Sequence, residues 1–280
     1  MYITYESFKN KLNTKLTLGQ DFYNSLVVTI LKYPTRYVSD WRINSPMTKL
    51  IQNVTQSREI KFGDFVEDIT TEYIGLLGYT NLDKNIKDNE SDDILNVDQL
   101  FLDNNNNVYI IEQKMRDDHD STKKRGQFLN YIRKIKSVHA LYPDRHIICA
   151  MWFVDDTIFK NNSYYKEKMK EYEQEIKNLN AETHLFYGKT IWEEIFHNVD
   201  VWNEMKSYNI KYKTEARGNN ITIPDFDNSE EIRIAVENLS KNYKKKLLSD
   251  NPLYVEIRKE FFPQGTYLQN LIWYFFIIIV

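Results

Sequence analysis

The chain is short of cysteine, glycine, proline and long apolar runs, and each shortage removes a class of protein. Cys149 is the only cysteine among 280 residues, so no disulfide framework is available and a stapled secreted module is excluded. Eight glycines and six prolines are too few for a collagen-like or low-complexity chain. The longest apolar run, Leu271–Val280, has ten residues, whereas a membrane-spanning helix needs roughly 20. That run reads as a buried C-terminal helix or strand. The Met1 end, MYITYESFKN, lacks a basic segment followed by an apolar one, so no signal peptide is expected. A cytoplasmic protein with no membrane partner is the expectation. Neither sign of charge dominates: 37 Lys and Arg against 40 Asp and Glu give −3. A nucleic-acid partner would therefore be recognised by local clusters and not by whole-chain charge. No internal repeat or heptad array is present. What remains is ordinary globular composition, 42% hydrophobic and 28% charged, in a length that suits one large domain or two small ones.

The first sixty residues read as helices interrupted by Pro34 and Pro46. Phe22, Leu26, Val27, Ile30 and Leu31 stand at helical spacing in Asp21–Lys32. Gly63–Leu77 is a clearer amphipathic helix, and Gly78 sits where it would stop. The polar stretch Asn81–Asp93 reads as a loop. From Ile94 the texture changes: ILNVDQLFL alternates like a half-buried strand, DNNNN (Asp103–Asn107) is a turn, and Val108–Met115 is a second strand. Lys123–Leu141 is helical and Pro143 closes it. His146–Val154 is nearly all apolar, as in a strand covered on both faces. Ser163–Leu179 reads as a charged helix and Thr183–Gly188 as a short strand, with Thr190 able to cap the helix holding Trp192 and Ile195. Tyr208–Asp227 reads as a polar connection around Gly218, Asn219 and Asn220, and Glu230–Leu248 as a helix with a basic end. A hairpin followed by alternating helices and strands predicts an α/β fold, a mixed central sheet flanked by helices, with helical N- and C-terminal additions.

The informative residues are Asp98 and the run Glu112-Gln113-Lys114. Side chains two apart on a strand share a face, so Glu112 and Lys114 are neighbours while Gln113 points away. A hairpin centred on Asn105 pairs positions that sum to 210, and Asp98 with Glu112 is such a pair. Their Cβ atoms would then lie about 4.5–5.5 Å apart, an arrangement of like charges that costs stability. A divalent cation between them removes the repulsion, and Mg²⁺ favours such oxygen ligands. The alternative is a solvent-facing cluster in which Lys114 neutralises both acids.

An Asp, a strand-length gap and Glu-x-Lys on the next strand resemble the PD-(D/E)xK nuclease superfamily. Within it, IIEQKMRDDHDSTKKRGQ (Ile110–Gln127) is most similar to type II restriction endonucleases. The likeness covers roughly Gly63–Gly188; Val97 stands where the family motif has proline. The resemblance implies an Mg²⁺-dependent, sequence-specific endonuclease on double-stranded DNA that leaves 5′-phosphate ends. It implies Asp98 and Glu112 as metal ligands, the Gln113 carbonyl as a further ligand and Lys114 as the catalytic lysine. A cognate DNA methyltransferase would be its genetic partner, and a homodimer is a further expectation. Residues 61–200 would form the nuclease core, 1–60 a helical region, and 201–280 a mostly helical region for recognition or oligomerisation. A repair or junction nuclease of the same superfamily, or a non-catalytic DNA-binding protein on this fold, are the rival readings.

The segment after the motif suits DNA on its own account. Lys114–Lys136 holds eight Lys and Arg against three Asp. Asp120-Ser121-Thr122 offers an N-cap for a helix beginning near Lys123, whose first amides would suit a phosphate. Arg116, Lys123, Lys124 and Arg125 are the candidate DNA contacts; the alternative is a solvated helix face. Glu67, on the helix before the hairpin, is a candidate third metal ligand or an ordinary exposed acid. The GKT at Gly188–Thr190 lacks the earlier glycine of a P-loop. The five histidines show no metal-ligand spacing, and Cys149, Trp152, Trp192, Trp202 and Trp273 read as packing residues.

Overall fold

The computed structural model describes residues 1–216, 223–265 and 268. The expected core role of Leu271–Val280 and Trp273, and the glycine–asparagine centre of the 208–227 connection, lie outside them. The chain divides into two compact units, Met1–Leu12 with Gly63–Arg217, and Asn13–Phe62 with Gly218–Val280. Compactness thus does not follow three consecutive stretches. The first helix, α1 (Tyr5–Leu16), explains why its N-terminal part joins the larger unit. Phe8 is buried against Phe65 with ring centroids 4.9 Å apart, and Tyr5 lies 5.5 Å from Tyr208.

The smaller unit is helical: α2 (Gln20–Lys32), a 3₁₀ turn at Pro34–Arg36 and the start of α3 (Pro46–Leu76). Pro46 opens α3 as its first residue, a position where its missing N–H is not needed. Gly63–Leu77, expected as a separate helix, is the far part of α3, and it ends where Gly78 takes a φ of 90°. The unit is completed by α9 (Glu230–Glu237), α10 (Lys241–Leu247) and α11 (Pro252–Phe261). The single expected helix 230–248 is two, because Ser240 accepts the Tyr243 amide and starts α10 afresh. Leu26, Ile30, Leu31, Ile232, Val236 and Ile257 form the core of this unit.

The larger unit is built on a five-stranded sheet. Its strands are β1 (Thr80–Asn81), β4 (Gln99–Leu102), β5 (Val108–Lys114), β6 (Ile147–Phe153) and β7 (Ala181–Tyr187). They lie side by side in the order β1-β4-β5-β6-β7. β1, β4 and β5 are antiparallel, while β5, β6 and β7 are parallel, so the sheet is mixed. The parallel crossover from β5 to β6 runs through α4 (Ser121–Leu141). All of β6 is buried, as an apolar strand covered on both faces must be. One face packs Val108, Ile110, Cys149 and Met151 on Phe128, Tyr131, Ile135 and Val138 of α4. The other carries aromatic rings: Phe101 stacked on Tyr109 at 4.9 Å, and Trp152 edge-on to Trp192 at 5.9 Å.

Four local expectations need correction. Ile94–Leu102 is not one strand: β3 (Ile94–Asn96) pairs with β2 (Asn85–Lys87) in a separate two-stranded sheet, so the supposed loop 81–93 contains strands. The helix 163–179 is α5 (Asn162–Glu171) and α6 (Glu173–Lys177), interrupted at Tyr172. Thr190 is inside α7 (Thr190–Glu194), and its hydroxyl pairs with the Tyr187 backbone instead of capping. The first part of the 208–227 connection belongs to α8 (Val199–Glu215), whose Val201, Trp202 and Met205 are buried.

Candidate active site

Asp98 lies one residue before β4, and Glu112 and Lys114 end β5. The observed ladder pairs Gln99 with Ile111, Leu100 with Ile110 and Leu102 with Val108. Every pair sums to 210, the register expected from the turn, and the next pair outward is Asp98 with Glu112. The turn resists bulging because Asp103 organises it. Its Oδ1 accepts the amides of Asn105 at 2.8 Å and Asn107 at 2.9 Å, while Asn106 supplies the left-handed φ of 64°.

The three side chains meet. Asp98 Oδ2 accepts the Gln113 amide at 2.8 Å and the Lys114 ammonium at 2.8 Å. The same ammonium lies 2.8 Å from Glu112 Oε1 and 3.0 Å from the Gln113 carbonyl oxygen. Three oxygens, two from β5 and one from the residue before β4, therefore converge on one cationic nitrogen. Glu112 is buried, and its second oxygen accepts from Lys134 Nζ of α4 at 2.6 Å. Asp98 and Lys114 are part-exposed and form the open side. Burial pulls the Lys114 pKa down, but the Glu112 and Asp98 carboxylates outweigh it and the net direction is upward, so Lys114 is an ammonium here.

The Gln113 side chain turns to the opposite face, where its Oε1 accepts from Gln99 Nε2 at 3.3 Å. Glu67 is not drawn into the cluster: its carboxylate pairs with Lys84, and its main-chain oxygen accepts from Gln99 at 2.9 Å. Burial raises the Glu67 pKa, Lys84 opposes this, and Asp98 adds to the rise. Among the described residues no group of three or more His, Cys, Asp or Glu is placed to hold a metal. The donor set that does converge is two carboxylates and one carbonyl. Those are the hard oxygen donors that a small divalent cation takes while keeping waters, and an ammonium already sits where they meet.

Asp120 caps α4 as expected, accepting the Thr122 amide at 3.0 Å and the Lys123 amide at 2.8 Å. Those amides are therefore spent within the chain, which leaves phosphate contact at this helix start to side chains. Arg116, Lys123 and Arg125 are exposed, and Lys124 lies half-buried with its ammonium 4.5 Å from the Tyr164 ring. The eight-to-three count overstates the free positive charge. Arg133 is held by Asp88 and Asp93 at 2.7 Å each, Lys134 by Glu112, and Lys136 by Glu175 at 2.6 Å. Asp117 does not offset the surface charge either: it is buried and accepts from Asn161 N and Asn161 Nδ2 at 2.8 Å and from Tyr187 OH at 2.9 Å.

Lys134 is the contact that sequence reasoning missed. The available signal was its place on the apolar stripe of α4, three residues after Tyr131 and four before Val138, where a solvated lysine has no reason to be.

The site is thus an acid pair and a lysine at the end of the central hairpin of a mixed sheet flanked by helices. Residues 76–213 match the family of the type II restriction endonuclease HinfI. The match runs from the end of α3 into α8, contains Asp98, Glu112 and Lys114, and spans just under half of the chain. It supports a type II restriction endonuclease, and so a nuclease and a hydrolase. No curated protein matches the chain. Among the described residues no helix is long and apolar enough to cross a membrane.

Proposed function

We propose that the protein is a sequence-specific type II restriction endonuclease, hydrolysing phosphodiester bonds of double-stranded DNA with Mg²⁺ to leave 5′-phosphate ends. The observation that carries this reading is the convergence of Asp98 Oδ2, Glu112 Oε1 and the Gln113 carbonyl on one cationic nitrogen at 2.8–3.0 Å. Residues matched to a restriction endonuclease family surround it. Those three oxygens would hold the metal. When bound, it supplies Lewis-acid stabilisation of the charge that develops on the phosphate.

The chain's own residues do the rest. Asp98 is held in place by the Gln113 amide, so its carboxylate is set before any metal arrives. Lys114, on the open side, yields the meeting point and donates its N–H groups to a phosphate oxygen or the attacking water. Arg116, Lys123, Lys124 and Arg125 hold the DNA backbone, contacts that position the duplex without reading it. A methyltransferase of the same specificity would protect the host's own sites.

Incubation with unmethylated phage or genomic DNA in Mg²⁺ tests the reading. Discrete fragments that vanish in excess EDTA and in Asp98→Ala or Glu112→Ala are expected. Wild-type cutting by both variants would sink the site assignment. Cutting confined to branched or damaged DNA would favour a repair or junction nuclease.

A further inference from the structure

Lys134 is the only buried lysine or arginine among the described residues. Its neighbours on the same stripe, Tyr131 and Val138, are fully buried. A buried ion pair is a poor source of stability, because well-packed apolar residues of similar volume do as well or better. The pair therefore calls for a reason other than stability, and its geometry supplies one. Lys134 Nζ holds Glu112 Oε2 at 2.6 Å, while Glu112 Oε1 faces the Lys114 ammonium at 2.8 Å. The two oxygens of one carboxylate are thus pinned by cations from two different elements, which fixes the torsion that would otherwise let both oxygens turn to one ion.

From this geometry we propose that Lys134 is a positioning residue of the nuclease site: it holds Glu112 Oε2 so that Oε1 alone faces the cation point. The inference rests on the reading of that site as a nuclease centre. Charge gives it a distinctive signature. Asp98 and Glu112 balance Lys114 and Lys134, so an arriving divalent ion meets a neutral group that already contains two cations. Lys134 therefore opposes metal entry while it fixes the ligand. Its removal moves two quantities in opposite directions, raising metal affinity and lowering turnover, whereas a residue that merely packs would lower both.

The test uses the full chain with Lys134→Met and Lys134→Gln. Mn²⁺ binding is followed by electron paramagnetic resonance, and cleavage of phage DNA is followed in Mg²⁺. Lys134→Met is expected to bind Mn²⁺ several-fold more tightly and to cut about 10²-fold more slowly, the loss a misplacement of about 1 Å brings. Lys134→Gln keeps a neutral donor for Oε2 and is expected to recover some of that rate without losing the gain in affinity. Unchanged or weaker Mn²⁺ binding by Lys134→Met, wild-type turnover, or failure of both variants to fold would overturn the inference. If wild type binds Mn²⁺ without cutting DNA, the nuclease reading falls and the Mn²⁺ comparison still decides the role of Lys134. If wild type binds and cuts while both variants behave like it, only this inference falls.

Discussion

Asp98 and Glu112 stand one position beyond the β4–β5 ladder, a close placement that costs stability for like charges, and the chain offsets it with Lys114 and Lys134. A third acid is handled differently. Asp88, just after β2, is buried, and its Oδ2 accepts from Arg133 at 2.7 Å while its Oδ1 accepts from Ser137 Oγ at 3.1 Å. The Arg133 hydrogen bond holds the Asp88 carboxyl well below the usual carboxylate range, against the opposing effect of burial. A depressed folded-state pKa means that the unfolded chain takes up the proton first. The stabilisation is complete above the unfolded value of about 3.9 and drains away as pH falls through the folded one. Thermal melts of wild type should therefore lose ground below about pH 4. Asp88→Asn should melt lower than wild type at pH 7 and show a smaller further drop between neutral and acid pH. Equal pH sensitivity in the two proteins would mean that other carboxyls set the acid response.

Two elements carry the candidate site, the β4–β5 hairpin and α4, and they differ in how plainly the sequence announced them. The hairpin was legible because a two-residue period, a turn rich in Asn and an acid on either side leave one register. Its weak point is Asn106, whose φ of 64° is left-handed. Asn106→Val would place a branched side chain where L-residues lose roughly 1–2 kcal/mol, and Asn106→Gly should be close to neutral by urea titration. A valine variant as stable as wild type would mean that the turn rebuilds in another form. The edge of the hairpin was harder to read, since Ile94–Leu102 alternates smoothly although the chain leaves one sheet for the other at Val97 and Asp98. That change of sheet depends on β2, a three-residue strand too short to show a period. α8 was missed despite Val201, Trp202 and Met205 at helical spacing, because its second half, from Lys206 to Glu215, is mostly polar and continues no apolar stripe. In α4 the cap was legible from Asp120, but the loyalties of its cations were not: spacing does not say that Arg133 and Lys136 reach acids 40 or so residues away. Only Lys123, Lys124 and Arg125 remain at the helix start as candidates for phosphate. Replacing all three with Ala should weaken binding to specific and random duplex alike in Ca²⁺. The slope of log K against log salt should flatten by about 0.9 for each phosphate that is no longer neutralised. An unchanged slope would make this a solvated helix start, and a weakening confined to the specific duplex would move base reading to α4.

Charge is unevenly divided over the whole chain. The larger unit holds 29 Asp and Glu against 23 Lys and Arg, and the smaller holds 11 against 14. The unit that carries the acid pair is thus the one whose net charge opposes a polyanion. Like charge at a binding surface slows encounter and weakens association. Under the proposed function, a divalent cation at Asp98 and Glu112 does more than serve the chemistry: it brings two positive charges to the point where a phosphate must approach. Metal and DNA should therefore bind with positive coupling, and linkage requires that each strengthen the other by the same factor. Fluorescence anisotropy of a labelled cognate duplex, at matched ionic strength, should give a Kd at least about tenfold lower in Ca²⁺ than in EDTA, a coupling of about 1.4 kcal/mol. Ca²⁺ suits the measurement because it takes the same oxygen donors and can be used where Mg²⁺ would allow cutting. Glu112→Ala should keep the affinity seen in EDTA and lose the Ca²⁺ increment, since it removes a donor to the metal and leaves the basic residues of α4 in place. Equal affinity in Ca²⁺ and EDTA for wild type would separate DNA binding from the acid pair.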